Sequence, residues 1–211
     1  MRLMQKVWYQ LSGQRKRDQT ERDSDWYDAV YSKPDTDYYK HYTESMYYFI
    51  WAVIVDRIPT TASVLEIGCG PGRLATFLNE RGIGKYIGFD FSPQAIALAR
   101  ENAPSLEFHV ANALTTELLE CPDYDVLICT EVLEHIEADL DVLRRVRPGV
   151  RCLITVPNFP YPSHVRHFKD KAMVSARYGS LFTQVRVDAF RKDSVGGYYF
   201  LLDGVKNEVV E

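Results

Sequence analysis

Three glycines at alternate positions, Gly68, Gly70 and Gly72, interrupt the stretch SVLEIGCGPGRLATFL, and an acid, Asp90, closes the later stretch YIGFD. A turn without side chains lets a ligand approach the backbone and tolerates positive φ. Such a turn, placed between an apolar run and a helical pattern, also presents the N–H groups of a helix start. A carboxylate about 20 residues on is where open α/β sheets hold a pair of ribose hydroxyls. These residues therefore point to an adenosine-type ligand. The spacing is G-x-G-x-G, not the G-x-G-x-x-G of dinucleotide folds, and no G-K-[ST] is present. Glu66, on the strand before the turn, is awkward beside a pyrophosphate. It is well placed to orient groups near an amino-acid ammonium.

The elements that must position these residues alternate from Ser63 onward. SVLEIGC reads as a buried strand, and GRLATFLNERG as a helix with Leu74, Phe77 and Leu78 on one face. KYIGFD is a strand. SPQAIALARENA is a helix with Ser92 as its cap and Pro93 at its first position. LEFHVAN, YDVLICTE and RCLITVPN are further strands, with a helix predicted over HIEADLDVLRRV. Strands separated by helices imply right-handed β-α-β units and an α/β, doubly wound (Rossmann-like) sheet. In the tail, DKAMVSARYG is a short helix, and LFTQVRVDAF and GGYYFLLDGVK should pair antiparallel as a hairpin, because no helix fits between them. Upstream, Thr43 or Ser45 is expected to cap a helix that ends near Ile58.

With 211 residues and a net charge of −4, the chain suits one core-bearing domain. The acidic balance argues against a partner held mainly through phosphate charge. Residues 1–24 read as a polar arm carrying Arg15-Lys16-Arg17, residues 25–60 as an aromatic-rich helical segment, and residues 61–211 as the ligand-binding domain. The four cysteines have no C-x-x-C spacing and read as reduced thiols of a cytoplasmic protein. The longest apolar run, MYYFIWAVIV, is too short to span a bilayer, and the N-terminus lacks a signal-peptide core.

VLEIGCGPG, YIGFDFSPQAIALAR, YDVLICTEVLEHI and RPGVRCLITVPN, in this order, resemble class I S-adenosylmethionine (SAM)-dependent methyltransferases over about residues 62–205. The resemblance implies a mostly parallel seven-stranded sheet with an antiparallel last strand and an N-terminal helical lid. It implies S-adenosyl-L-methionine as cofactor, with Glu66, Gly68, Cys69, Gly70 and Gly72 around its methionine side. Asp90 would hold the ribose and Phe91 would lie beside the adenine. Asn112 and Ala113 stand where the family often has an acid for the adenine amino group, and the Asn112 oxygen can accept that bond instead. Thr130 and Glu131 would end the strand where acceptor and methionine meet.

Methyl transfer from a sulfonium is an in-line displacement from an activated donor, so positioning and exclusion of water matter most. An oxygen acceptor needs a base, whereas an amine needs only desolvation. The candidate bases are His135, His164 and His167, with Glu131 and Glu134 close to the first. Glu134 and His135 can equally serve the start of the next helix. No metal is required by this reading. A metal-dependent alternative would use Glu131, Glu134, His135 and His167, which resemble the metal set of small-RNA 3′-terminal ribose methyltransferases and of some quinone-pathway O-methyltransferases. In YYKHYTESMYYFIW, Tyr42, Tyr47 and Tyr48 are expected to wall a lid over SAM and acceptor, or else to pack the N-terminal helix on the sheet; Trp26 and Tyr27 would join the same cover.

The reading is a SAM-dependent methyltransferase acting on an O or N atom of a small molecule, because insertions between core elements are short and no target-recognition domain is visible. Three alternatives differ in kind: an RNA methyltransferase, a SAM-binding subunit without turnover, and a nucleotide-dependent oxidoreductase, against which the glycine spacing speaks.

Overall fold

Residues 19–33, 37–192, 194 and 196–208 are described by a computed structural model of the chain. The Arg15-Lys16-Arg17 run and most of the predicted arm lie outside them. The strands are β1 (Ser63–Ile67), β2 (Lys85–Asp90), β3 (Glu107–Val110), β4 (Val126–Thr130), β5 (Arg151–Pro157), β6 (Phe182–Arg191) and β7 (Tyr198–Lys206). The helices are α1 (Ser24–Tyr31), α2 (Tyr48–Asp56), α3 (Arg73–Glu80), α4 (Pro93–Asn102), α5 (Asp139–Arg145) and α6 (Lys171–Tyr178). Together the strands form one sheet of order β3-β2-β1-β4-β5-β7-β6. The first five run parallel, and β7 is antiparallel to both β5 and β6. The expected doubly wound architecture and terminal hairpin are both present.

The sequence builds this sheet for simple reasons. Val126 to Cys129 are buried in a continuous run, as a central parallel strand requires. One face of the sheet packs against α2, α3 and α4 through Ile50, Leu74 and Ile96. The other packs against α5 and α6 through Val142, Leu143 and Val174. Ser92 caps α4 by accepting from the Ala95 N–H at 3.0 Å, and Asp170 caps α6 through Met173. All four cysteines are free thiols, with Cys69, Cys129 and Cys152 buried.

Strand order reverses between β1 and β4, which lie side by side. That is the topological switch point, where ligands of such sheets sit beyond the carboxyl ends of the strands. The glycine turn leaves β1 and the EVLEHI segment leaves β4, so both open onto this crevice.

Two expected boundaries move. The helix before β1 starts at Tyr48, not after Thr43 or Ser45. Tyr42–Glu44 is a separate 3₁₀ turn, and Ser45 is extended at ψ 141°, which breaks any continuation. The helix expected from His135 is also broken. Leu133–His135 forms one 3₁₀ turn, Ile136 is extended, and α5 begins at Asp139. The carbonyls of Leu133 and Ile136 bond the Arg166 guanidinium, an acceptance that substitutes for helical pairing.

Candidate active site

The three glycines of the turn have φ of +65°, +52° and +73°, in the left-handed region that favours glycine. Their surroundings differ. A Cβ on Gly68 would stand 2.4 Å from Val132, and one on Gly72 would stand 3.1 Å from Ala99 of α4. These two glycines serve close packing within the protein. Gly70 is the one whose missing side chain faces the crevice, where the nearest atom is the Tyr31 hydroxyl, 3.3 Å from an ideal Cβ. The turn is tied to β2 by the Gly68 and Cys69 N–H groups, both donating to Phe89 O. Cys69 is buried, which pushes its thiol pKa up and keeps it protonated.

Asp90 is buried beside Gly70. Its Oδ2 accepts from Gly70 N and its Oδ1 from Ser92 N, each at 3.0 Å. Burial pushes its pKa up to about 6, and those two backbone donors moderate the rise. Each carboxylate oxygen keeps a second acceptor site, as paired ribose hydroxyls require. Glu66 is also buried and accepts from the Tyr86 hydroxyl at 2.5 Å. Burial raises its pKa to about 8. Phe91 meets Tyr27 edge-on at 5.3 Å. The Asn112 side-chain oxygen accepts from Leu114 N at 2.8 Å, so its turn already uses one lone pair. Asn112 is exposed, and Ala113 packs at the margin of the second apolar layer. The glycine cradle and the buried acid fit an adenosine-bearing cofactor with an amino-acid end.

The cover over this cradle is α1. Asp23 caps the helix by accepting from Trp26 N. Asp28 reaches across to α4, accepting from Gln94 N at 3.1 Å and from the Ser92 hydroxyl. Tyr27 lies between Phe91 and the His135 ring, 6.0 Å away. Tyr31 is buried with its hydroxyl over Gly70, and its carbonyl accepts from Tyr39. Sequence reasoning had placed Tyr27 in the cover and missed Tyr31 and Asp28. Of the three expected lid tyrosines, Tyr47 is half-buried against Trp51 and Tyr199, within electrostatic reach of Glu131. Tyr42 instead stacks on Phe77 at 4.6 Å and donates to Glu80, and Tyr48 also packs on Phe77. Those two hold the N-terminal segment to α3.

Thr130 ends β4 and Glu131 follows at φ 56°, an uncommon conformation for a residue with a side chain. The Glu131 N–H donates to Thr155 O and Oγ1, and the Thr155 hydroxyl donates back to Glu131 Oε1 at 2.9 Å. Burial raises the Glu131 pKa to about 8. Glu134 is fully buried, and neither carboxylate oxygen has a hydrogen-bond partner. Burial and then the neighbouring Glu131 raise its pKa. Facing it are His135 Nε2 at 3.8 Å and His164 Nε2 at 3.9 Å. The two rings meet edge-on at 4.8 Å.

The other ring nitrogens are committed. His135 Nδ1 lies 2.9 Å from Ser163 O, and His164 Nδ1 lies 3.1 Å from Phe159 O. A carbonyl only accepts, so each Nδ1 carries the proton and each neutral ring turns an Nε2 lone pair toward Glu134. Burial lowers the pKa of His135 to about 4 and of His164 to about 3, keeping both neutral. Lone pairs converging on an unpartnered carboxylate form a donor set for a cation, and each ring is already oriented by the carbonyl that its other nitrogen meets. One ligand atom from each of Glu134, His135 and His164 lies within 4.8 Å of the others. Of the residues of the metal-dependent alternative, Glu134 and His135 lie in this cluster together with His164, while Glu131 lies outside it and raises the Glu134 pKa through its charge.

Residues 64–151 match the family described as "Methyltransferase domain". The chain is 33% identical over 103 residues to a ubiquinone biosynthesis O-methyltransferase of Alkalilimnicola ehrlichii, covering 45% of this chain and 41% of that protein. It is 35% identical over 104 residues to the Aeromonas salmonicida protein of the same name, covering 45% and 43%. The matched stretch thus spans less than half the length of these curated relatives. Among solved structures, the Burkholderia thailandensis 1,6-didemethyltoxoflavin-N1-methyltransferase, solved with that compound and S-adenosylhomocysteine, superposes with a TM-score of 0.64 at 19% identity. The match covers 88% of this chain and 87% of that one. Among the described residues no helix is long and apolar enough to cross a membrane. Residues 64–151 thus match a methyltransferase domain, and the chain shares the fold of solved SAM-dependent methyltransferases, with the G-x-G-x-G turn at the switch point of its sheet.

Proposed function

We propose that the protein transfers the methyl group of SAM to a hydroxyl oxygen of a small-molecule acceptor, at a site that uses a divalent cation. The observation that carries this reading is the fully buried Glu134 carboxylate, without a hydrogen-bond partner, facing two imidazole lone pairs at the carboxyl end of β4. The curated relatives named as O-methyltransferases support the oxygen acceptor.

The chain's own residues divide the work. Asp90 would hold the ribose hydroxyls, and Gly70 leaves room for the cofactor against the turn. Tyr27 and Tyr31 would exclude water from above. Glu134, His135 and His164 would hold the cation. Glu134 Oε1 stands 3.8 Å from His135 Nε2 and 3.9 Å from His164 Nε2, and the three atoms all lie within 4.8 Å of one another. A divalent cation held by these three residues would favour ionisation of an acceptor hydroxyl near neutral pH. The acceptor oxygen then forms its bond to the methyl carbon as the carbon–sulfur bond breaks, leaving S-adenosylhomocysteine. Glu131, beside Thr155, stands where the hydroxyl proton can leave. His135, held neutral with its Nε2 in the cluster, serves better as a ligand than as the base expected from sequence.

The test is a mass-spectrometric screen with methyl-labelled SAM against phenols, alcohols, amines and short RNA, on protein stripped by chelator and then given Mg²⁺, Mn²⁺ or Zn²⁺. Label on a hydroxyl compound only after cation is restored is the expected result. Full transfer by stripped protein would remove the cation, and label confined to amines or RNA would remove the acceptor class.

A further inference from the structure

Glu134 and His135 stand on the 3₁₀ turn after β4, whereas His164 stands on the loop between β5 and α6. Two separate segments must be held in register for one cluster to form. His164 is fixed within its own loop, through Nδ1 to Phe159 O and its N–H to Tyr161 O. Neither bond places that loop against the turn.

The turn and the loop are joined at His135 Nδ1, which meets Ser163 O at 2.9 Å, at the Val165 and Arg166 N–H groups, which both donate to Glu134 O, and, through the largest set of bonds, at the Arg166 side chain. Arg166 Nη1 donates to Leu133 O at 2.6 Å and to Ile136 O, and Nη2 donates to Glu137 O at 2.9 Å. These carbonyls bracket Glu134 and His135. The same Nη1 lies 3.1 Å from the carboxylate of Asp139, which is fully buried. Just before it, Val165 N donates to Glu134 O at 2.8 Å. Asp139 is anchored in turn by Arg177 and by the Tyr178 hydroxyl of α6. A planar guanidinium can serve several acceptors at fixed angles; a lysine ammonium offers one compact charge on a flexible stem.

We infer that Arg166 is a positioning residue, whose fork across the Leu133, Ile136 and Glu137 carbonyls sets the separation of His164 from Glu134 and His135. The inference rests on the cation site proposed above. Carbonyls at the end of a short helical turn need donors in any case, so a merely structural role is the competing explanation, and the test must separate the two.

Co²⁺ binding, read by visible absorption, is compared in wild type, Arg166→Lys and Arg177→Lys. Arg177→Lys weakens the same Asp139 network without touching the turn. Arg166→Lys is expected to lose roughly 10–100-fold in Co²⁺ affinity, the range seen when groups that orient metal ligands are removed. S-adenosylhomocysteine affinity should stay the same, and Arg177→Lys should lower the melting temperature without changing Co²⁺ binding. Equal Co²⁺ affinity in wild type and Arg166→Lys overturns the inference, as does an equal loss in Arg177→Lys. Should Arg166→Lys fail to fold, Asp139→Asn replaces it; a smaller loss of Co²⁺ affinity is expected there, and no loss overturns. If wild type takes up no Co²⁺, the cation reading fails, and metal-free crystal structures decide the positioning. The inference stands if the lysine variant, or Asp139→Asn where the lysine variant does not fold, widens the His164–Glu134 separation beyond 3.9 Å. It falls if the separation is unchanged.

Discussion

Asp90 joins the glycine turn to the start of α4 by accepting one backbone N–H from each, and this fixes what its titration does. Burial raises its pKa from the ordinary 3.8 to about 6, so the native chain binds that proton more tightly than the unfolded chain does. The contribution to stability is therefore present at low pH and is lost as the pH rises from about 4 through about 6. Cofactor binding has the opposite sign. Ribose hydroxyls need the charged carboxylate as acceptor, so affinity for S-adenosylhomocysteine should fall as the pH drops through about 6. Asp90→Ala should weaken binding by about 1–3 kcal/mol near neutral pH and abolish that pH dependence. Calorimetry between about pH 5 and 8 measures both. An alanine variant with wild-type affinity would detach Asp90 from the ribose.

Helix α1 covers the cradle through few contacts, and one of them is a charge-assisted grip. Asp28 accepts from Gln94 N and the Ser92 hydroxyl, at the start of the helix that follows Asp90. A cofactor entering over Gly70 must pass Tyr31, which this grip holds in place. Asp28→Ala should speed S-adenosylhomocysteine release roughly tenfold, the kinetic equivalent of about 1.4 kcal/mol for lost bonds to a carboxylate. Trp26, on the same helix, supplies the stopped-flow fluorescence signal. Unchanged release would mean that α1 is not the gate. The sequence made the turn, Asp90 and EVLEHI legible because each is a local pattern tied to one strand end. Tyr31 and Asp28 were not legible, since their partners lie far along the chain and no period marks them. For Tyr42 and Tyr48 the sequence left lid and packing roles open for the same reason: an aromatic run does not say against what its rings pack. His164 and His167 are three residues apart on an irregular loop, where no helical or strand rule decides which ring turns inward.

At the scale of the whole molecule, chemistry and stability occupy opposite ends of the sheet. The strand alternation that revealed the doubly wound fold is dictated by burial on both faces, which is why it was readable before any contact was known. The ion network at the far end was not readable, because it joins residues 52 to 146 positions apart. Arg57, just past α2, pairs with Asp188 at 2.7 Å and Asp203 at 3.1 Å. Arg151, opening β5, binds Asp203 through two nitrogens at 2.9 Å each and gives Nη1 to Arg57 O at 2.8 Å. One carboxylate thus holds the N-terminal segment, β5 and the terminal hairpin together at the edge away from the crevice. Asp203 is 14% exposed, so its neutralisation leaves two guanidinium groups half-satisfied in a partly dry setting. Asp203→Asn should lower stability by about 1–3 kcal/mol, with S-adenosylhomocysteine affinity unchanged because nothing in the network touches the glycine turn or Asp90. Denaturant unfolding with and without ligand separates the two quantities. A variant that loses cofactor affinity in proportion to its stability would show that the two ends of the sheet are mechanically coupled, and that the crevice is shaped by the hairpin as much as by the strands that frame it.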